Sequence, residues 1–180
     1  MSLRGLAMTG PDPFPTFLRL VCGSRSLVAR PFGEDWARHE IDCLLAMANG
    51  AIGGDADGPD RWLREACILR PSLPSAFWCL DGTVQSAPGR ILGRWCPVEQ
   101  VPGRDDPRRR RWPLTRNEAM ARALAQRARR DGRDAEAYGL IDPESPTEGT
   151  AHTLAACQRL HVPVFPRRFP GDLAQNARGE

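Results

Sequence analysis

The sequence predicts an α/β protein, a Rossmann-like three-layer sandwich with a mainly parallel sheet and helices on both faces. Two observations carry this. Short apolar runs alternate with segments of helical periodicity along most of the chain, the pattern of successive βα units. Four short segments, 20–25, 52–60, 113–120 and 148–152, lie where an apolar run ends or a helix begins. Such sheets bind ligands at those places, because N–H groups at a helix start point outward and the helix dipole favours an anion.

Residues 1–16 are rich in Gly and Pro and read as an irregular N-terminal arm. The run Phe17–Cys22 is a buried strand ending at Gly23. From about 34 to 49, Ala37, Ile41, Leu44, Leu45 and Ala48 fall on one helical face, and Asn49-Gly50 closes the helix. Ala51-Ile52-Gly53 is a very short second strand. Pro59 takes a first helical position, and Trp62, Leu63, Ala66 and Leu69 form the next stripe, ended by Pro71 and Pro74. The stretch 75–112 is an insertion or a hairpin: 76–80 and 90–96 are both strand candidates, separated by the turn signal Asp81-Gly82. Thr115-Arg116-Asn117-Glu118 fits a capping box that opens a helix to about 130, with Met120, Ala123, Leu124 and Ala128 inward. Residues 137–141 are a further strand. Gly149-Thr150 opens a helix carrying Leu154, Cys157 and Leu160, and 162–165 are the last strand. One domain therefore spans 17–166, and 167–180 read as a flexible tail.

Composition narrows the class. The net charge of +3 is too mild to demand a polyanionic partner. The chain has no lysine, which reads as codon bias; arginine chosen for phosphate has to be argued site by site. Its 6 cysteines form no C-x-x-C pair, and His39, His152 and His161 complete no metal spacing, so no metal is expected. Cys22, Cys43, Cys67 and Cys157 occupy apolar positions, as in a reduced cytoplasmic protein. Neither a signal peptide nor a membrane-spanning run is visible.

Each segment has a chemical reading and a plain one. Gly23 lets backbone approach a ligand, Ser24 offers a hydroxyl, and Arg25 offers a guanidinium fork for phosphate; the alternative is a tight turn. Gly54 with Asp60 leaves room for a ribose whose hydroxyls Asp60 would bind; the alternative is an acid at a helix start. Arg116 and Asn117 stand in a first turn, where the dipole disfavours a cation, so an anion is the functional reading; the alternative is a solvent-facing first turn. Gly149 and Thr150 either cradle phosphate or merely cap a helix. The run Arg108–Arg111 beside Trp112 suits a solvated loop, or a single nucleic-acid strand gripped by charge and stacking. His152 is an acid–base candidate or a surface residue.

Taken in order, the segments resemble the SLOG superfamily of Rossmann-like proteins, and most of all its YspA-related branch. The likeness rests on Val21–Arg25 (V-x-G-S/G-R), Gly53–Asp60 (G-G-A-x-G-x-D, with Asp55 in the alanine position and one extra residue), Pro113–Met120 (P-x-R-N-x-x-M, one residue longer) and Gly149-Thr150 followed by Pro163-Val164. It covers roughly 18–166. The resemblance implies a nucleotide or nucleotide-derivative pocket across the strand ends, lined by Gly23, Ser24, Arg25, Gly54, Asp60, Arg116, Asn117, Gly149 and Thr150. Phosphoribohydrolases of similar fold use P-G-G-x-G-T-x-x-E, whose glutamate helps break an N-glycosidic bond. Here Pro146 and Thr147 replace the first two glycines and Thr153 the glutamate. A threonine cannot stabilise a cationic sugar as a carboxylate does.

Three functions follow from these readings. The first is a binding or sensing module for a nucleotide-like small molecule, with no cofactor, and no catalytic residue is assigned. The second is a hydrolase of N-glycosidic bonds, such as a nucleoside 5′-monophosphate phosphoribohydrolase. The third is a single-strand nucleic-acid binder. A homodimer is the expected assembly, and no membrane partner is expected.

Overall fold

The computed structural model describes residues 18–131, 134–145 and 148–170. The arm read at 1–16 and the tail beyond Pro170 lie outside the described residues. The elements run β1 (Leu18–Gly23), α1 (Gly33–Ala46), β2 (Gly50–Gly53), α2 (Pro59–Ile68), β3 (Ser75–Trp78), β4 (Thr83–Gln85), β5 (Ile91–Arg94), α3 (Trp112–Asp131), β6 (Ala135–Ile141), α4 (Glu148–Arg159) and β7 (Val164–Arg168). Short 3-10 turns occupy Arg25–Ala29, Val98–Gln100 and Pro107–Arg110.

The protein is α/β; among the described residues the sheet has seven strands in the order β5-β4-β3-β2-β1-β6-β7. Neighbours among β3, β2, β1, β6 and β7 are parallel, and β4 and β5 are antiparallel additions at one edge. The chain leaves β1 for β2 on one side. After the edge meander it crosses through α3 to β6 on the other side. The carboxyl end of β1 is therefore the point where the strand order reverses, where open α/β sheets form their ligand crevice.

Side chains alternate along each strand and feed two apolar clusters. Leu18, Leu20 and Cys22 of β1 join Met120 and Leu124 of α3 and Leu154 and Cys157 of α4. Val21 joins Ile41 and Leu45 of α1, Trp62 and Leu63 of α2, and Phe77 of β3. Arg19 interrupts the apolar run of β1 yet is buried. It donates to Leu44 O at 2.6 Å and lies 3.3 Å from Glu136, its register partner on β6.

Several boundaries differ from those expected. α1 stops at Ala46, because Gly50 is taken into β2 opposite Leu18 and does not cap the helix. Leu69 caps α2 and is 80% exposed, so the buried stripe ends at Ala66 and Cys67. Within 75–112, the two candidate strands do not pair with each other; β4 lies between them. β7 is displaced to Val164–Arg168 by its parallel register with β6, and Phe169 beyond it is buried against Trp36, 5.5 Å between ring centroids. The folded body thus extends past residue 166. All 6 cysteines are free thiols, and Cys43 is exposed on α1 rather than part of its apolar face. Among the described residues, no helix is long and apolar enough to cross a membrane.

Gly23 is where α2 meets the end of β1. A Cβ there would lie 2.5 Å from the Pro59 ring and 3.0 Å from Leu140 O, both stiff neighbours. Gly23→Ala is expected to destabilise the fold by about 1–3 kcal/mol through overpacking, read as a lower urea midpoint.

Candidate functional site

A hollow of about 280 Å³ opens at the carboxyl end of β1. Cys22 and Gly23 of β1, Asp60 of α2, Arg116 and Asn117 of α3, and Gly149 and Thr150 of α4 share its wall, and Arg25 reaches it from the turn after β1. Seven of the nine residues expected from the sequence therefore meet in one place. Ser24 and Gly54 do not line it.

Ser24 is fully buried beside the hollow. Its N–H donates to Leu140 O at 2.8 Å, and its hydroxyl accepts from the Asp142 N–H at 3.3 Å. The hydroxyl thus fastens the end of β1 to the loop after β6. Asp142 completes the fastening: its carboxylate accepts from Arg30 Nε at 2.8 Å and Nη2 at 3.2 Å, and from the Glu144 N–H at 3.1 Å.

Gly54 lies behind the wall, where its missing side chain has a use. A Cβ would fall 2.3 Å from Asp60 Oδ2 and 2.9 Å from the Arg116 guanidinium. Those two groups are able to sit against the backbone only because the residue is glycine.

Arg116 is 4% exposed and fully engaged. It pairs with Asp55 through Nη1, donates to Asn117 Oδ1 from Nε (3.1 Å) and Nη2 (2.8 Å), and lies 3.8 Å from Asp60 Oδ2. Asp55 also accepts the Leu80 N–H at 2.8 Å, and Asn117 donates to Gly149 O at 3.2 Å. One polar chain thus links the β3–β4 turn, the loop after β2, α3 and α4. The guanidinium read as a phosphate grip is shared instead between two carboxylates and an amide.

The expected capping box is absent. α3 begins at Trp112, with Pro113 in its first turn, and the Thr115 hydroxyl donates backwards to Arg111 O at 3.3 Å. Arg116 therefore stands a turn further in, where it faces Asp55. His152 does not line the hollow; its Nε2 lies 3.3 Å from Glu118 Oε1 between α4 and α3.

Asp55, Arg110 and Glu148 also belong to this site, beyond the nine residues expected from the sequence. Asp55 was visible only as an acid in an alanine position. Arg110 was hidden in a uniform run, of which it is the member that lines the hollow. Arg108 is held by Asp106 at 2.6 Å, and Arg109 donates to Pro102 O at 3.4 Å.

The chemistry available here follows from burial. Burial raises the Asp60 carboxyl above the usual carboxylate range, and Arg116 and the Ala56 N–H only partly oppose it. Burial also pushes the Cys22 thiol well up, so it is no thiolate nucleophile. Thr153 is buried and donates its hydroxyl to Gly149 O at 2.8 Å. Among the described residues, no group of His, Cys, Asp and Glu could hold a metal ion. Two roomier depressions lie elsewhere. One of about 360 Å³ between α1 and α2 has its Arg38 and Glu65 paired with each other. One of about 420 Å³ sits at the amino ends of β6 and β7, away from the strand-end crevice.

No family model matches the chain, and no curated protein and no solved structure matches it.

Asp142 generates a pH prediction. Its carboxyl is lowered: burial acts to raise it, but the hydrogen bonds from Arg30, Ser26 and the Glu144 N–H outweigh that cost. A carboxyl lower in the folded than in the unfolded state adds stability that is complete above its unfolded value, about 3.9. That stability is lost as pH falls through the lowered folded value. Asp142→Asn is therefore expected to reduce the urea midpoint at neutral pH, with the gap to wild type closing as the pH drops below about 4.

Proposed function

We propose that this chain is a three-layer Rossmann-like protein of the SLOG type that binds a nucleotide or nucleotide-derived small molecule at the carboxyl ends of its strands. The two apolar clusters, each shared by the sheet and a different pair of helices, support the layering. The four ordered motifs support the family reading. The observation that carries the functional reading is the convergence of Arg25, Asp60, Asn117, Gly149 and Thr150 on one hollow at the strand-order reversal. Asp60 and Asn117 supply polar groups for sugar hydroxyls, and Arg25 supplies a positive charge for phosphate. The size supports a single nucleotide over a dinucleotide, because about 280 Å³ is near the lower bound for small-molecule sites.

Binding without turnover is the preferred form. Thr153 occupies the position of the hydrolases' glutamate, and its hydroxyl is taken up by the backbone. An N-glycoside hydrolase is the second reading, favoured by one observation: Asp60, with its raised carboxyl, and Glu148 line the same hollow. In that reading the glycosidic bond breaks as Asp60 gives its proton to the leaving base, and water adds to the sugar carbon while its proton passes to the Glu148 carboxylate.

Gly149 offers a clean test. The nearest neighbour to a Cβ there is Asn117 Nδ2 at 3.8 Å, so the first atom of a side chain at this position meets only ordinary contact beside the pocket wall. A thermal-shift screen of nucleotides, cyclic dinucleotides and ADP-ribose is expected to yield a binder. At a hundredfold excess over Kd it would add about 2.7 kcal/mol, roughly 5–10 °C for a domain of this size. Gly149→Leu is expected to keep the unliganded Tm and lose the shift. An equal shift in both proteins would place the ligand elsewhere. Release of free base from a nucleoside monophosphate by wild type, lost in Asp60→Asn, would favour the hydrolase.

A further inference from the structure

The arginine run before α3 is built into the site. Asp106 caps the Pro107–Arg110 turn by accepting the Arg108 N–H at 2.8 Å and gripping the Arg108 guanidinium. Just beyond the turn, Trp112 donates Nε1 to Leu80 O at 2.8 Å and lies against Trp95, 4.8 Å between ring centroids. Trp95 is itself tied by Nε1 to Cys79 O at 2.8 Å. The antiparallel edge and α3 thus hold a strap whose Arg110 lines the hollow.

The charges of the hollow are divided. On the inner side, Arg116 is paired with Asp55 and lies against Asp60, so it is no spare cation for a phosphate. The guanidinium groups of Arg25 and Arg110 are exposed and make no hydrogen bond or ion pair with any described residue, and the charge of Arg25 is felt by Asp60 deeper in the hollow. Two exposed guanidinium groups on one small hollow, with the inner guanidinium already taken up by carboxylates, orient an anion outward.

We infer that Arg25 and Arg110 form the anion-binding mouth of the pocket, and that its ligand is a nucleotide held with the sugar inward and the terminal phosphate between these two arginines. The inference rests on the binding function proposed above and adds the ligand's orientation and the strap's role. A single nucleic-acid strand fits less well, because Arg108 and Arg109 are turned to Asp106 and Pro102, which leaves only Arg110 and Arg111 of the run as free charges.

Calorimetric titration of the four ribonucleosides, their 5′-monophosphates and their 5′-diphosphates tests this on wild type, Arg25→Gln and Arg110→Gln. Both residues are exposed, so the variants are expected to fold. On wild type the phosphorylated forms of one nucleoside should bind more tightly than that nucleoside. Each variant should lose roughly ten- to a hundredfold of that gain, with nucleoside affinity unchanged, and Arg110→Lys should restore part of it. Nucleotide binding whose phosphate gain survives in Arg110→Gln would overturn the mouth and leave the binding function standing. Absence of binding by every probe would overturn both. Loss of affinity for a single-stranded oligonucleotide in Arg110→Gln, with nucleotide binding intact, would assign the strap to nucleic acid and overturn the inference.

Discussion

The site depends on one buried guanidinium. Arg116 comes from α3, but its partners come from the loop after β2 and the start of α2, and through Asn117 it reaches the start of α4. Removing a partner from such a pair leaves an uncompensated charge in the interior, which costs several kcal/mol. The pair therefore fixes relative positions more than it adds net stability. Gly54 is the local condition for it, since any side chain there would occupy the space of the Asp60 carboxylate. A sheet edge, two helices and a loop are thus brought into register by one planar group.

A second polar fastening lies on the other side of the crevice. Ser24, Asp142 and Arg30 bind the turn after β1 to the loop after β6. These are the two strands that part at the strand-order reversal, where backbone hydrogen bonding alone would let the loops separate. Polar side chains thus brace both flanks of the hollow while apolar clusters hold the sheet beneath it. A preformed cavity needs less ordering when a ligand arrives.

Much of this was legible in the sequence because it is local. Strand–helix alternation, Gly23 after β1, Pro59 at the start of α2 and Gly149 at the start of α4 are short-range signals, and each marks an element boundary in the structure. What was illegible is long-range. Arg116 and Asp55 are 61 positions apart, and nothing in either segment announces the pairing, so Arg116 read as a grip for an external anion. Ser24 read as a ligand for the same reason, its partner being 118 positions away. Thr115 failed as a cap because the helix starts at Trp112, with Pro113 in its first turn, which leaves Thr115 inside it. Gly50 was read as a helix stop although it pairs with Leu18 in β2; a glycine between helix and strand is ambiguous until the partner strand fixes the register.

The sheet's outer border at β7 has a further consequence. This strand carries Pro166, Arg167 and Arg168, all exposed. Proline withholds a backbone donor, and neighbouring positive charges repel an identical strand brought alongside. Lateral growth of the sheet is therefore discouraged along that margin. Copies of this molecule that associate would do so through helical faces or the opposite, antiparallel margin.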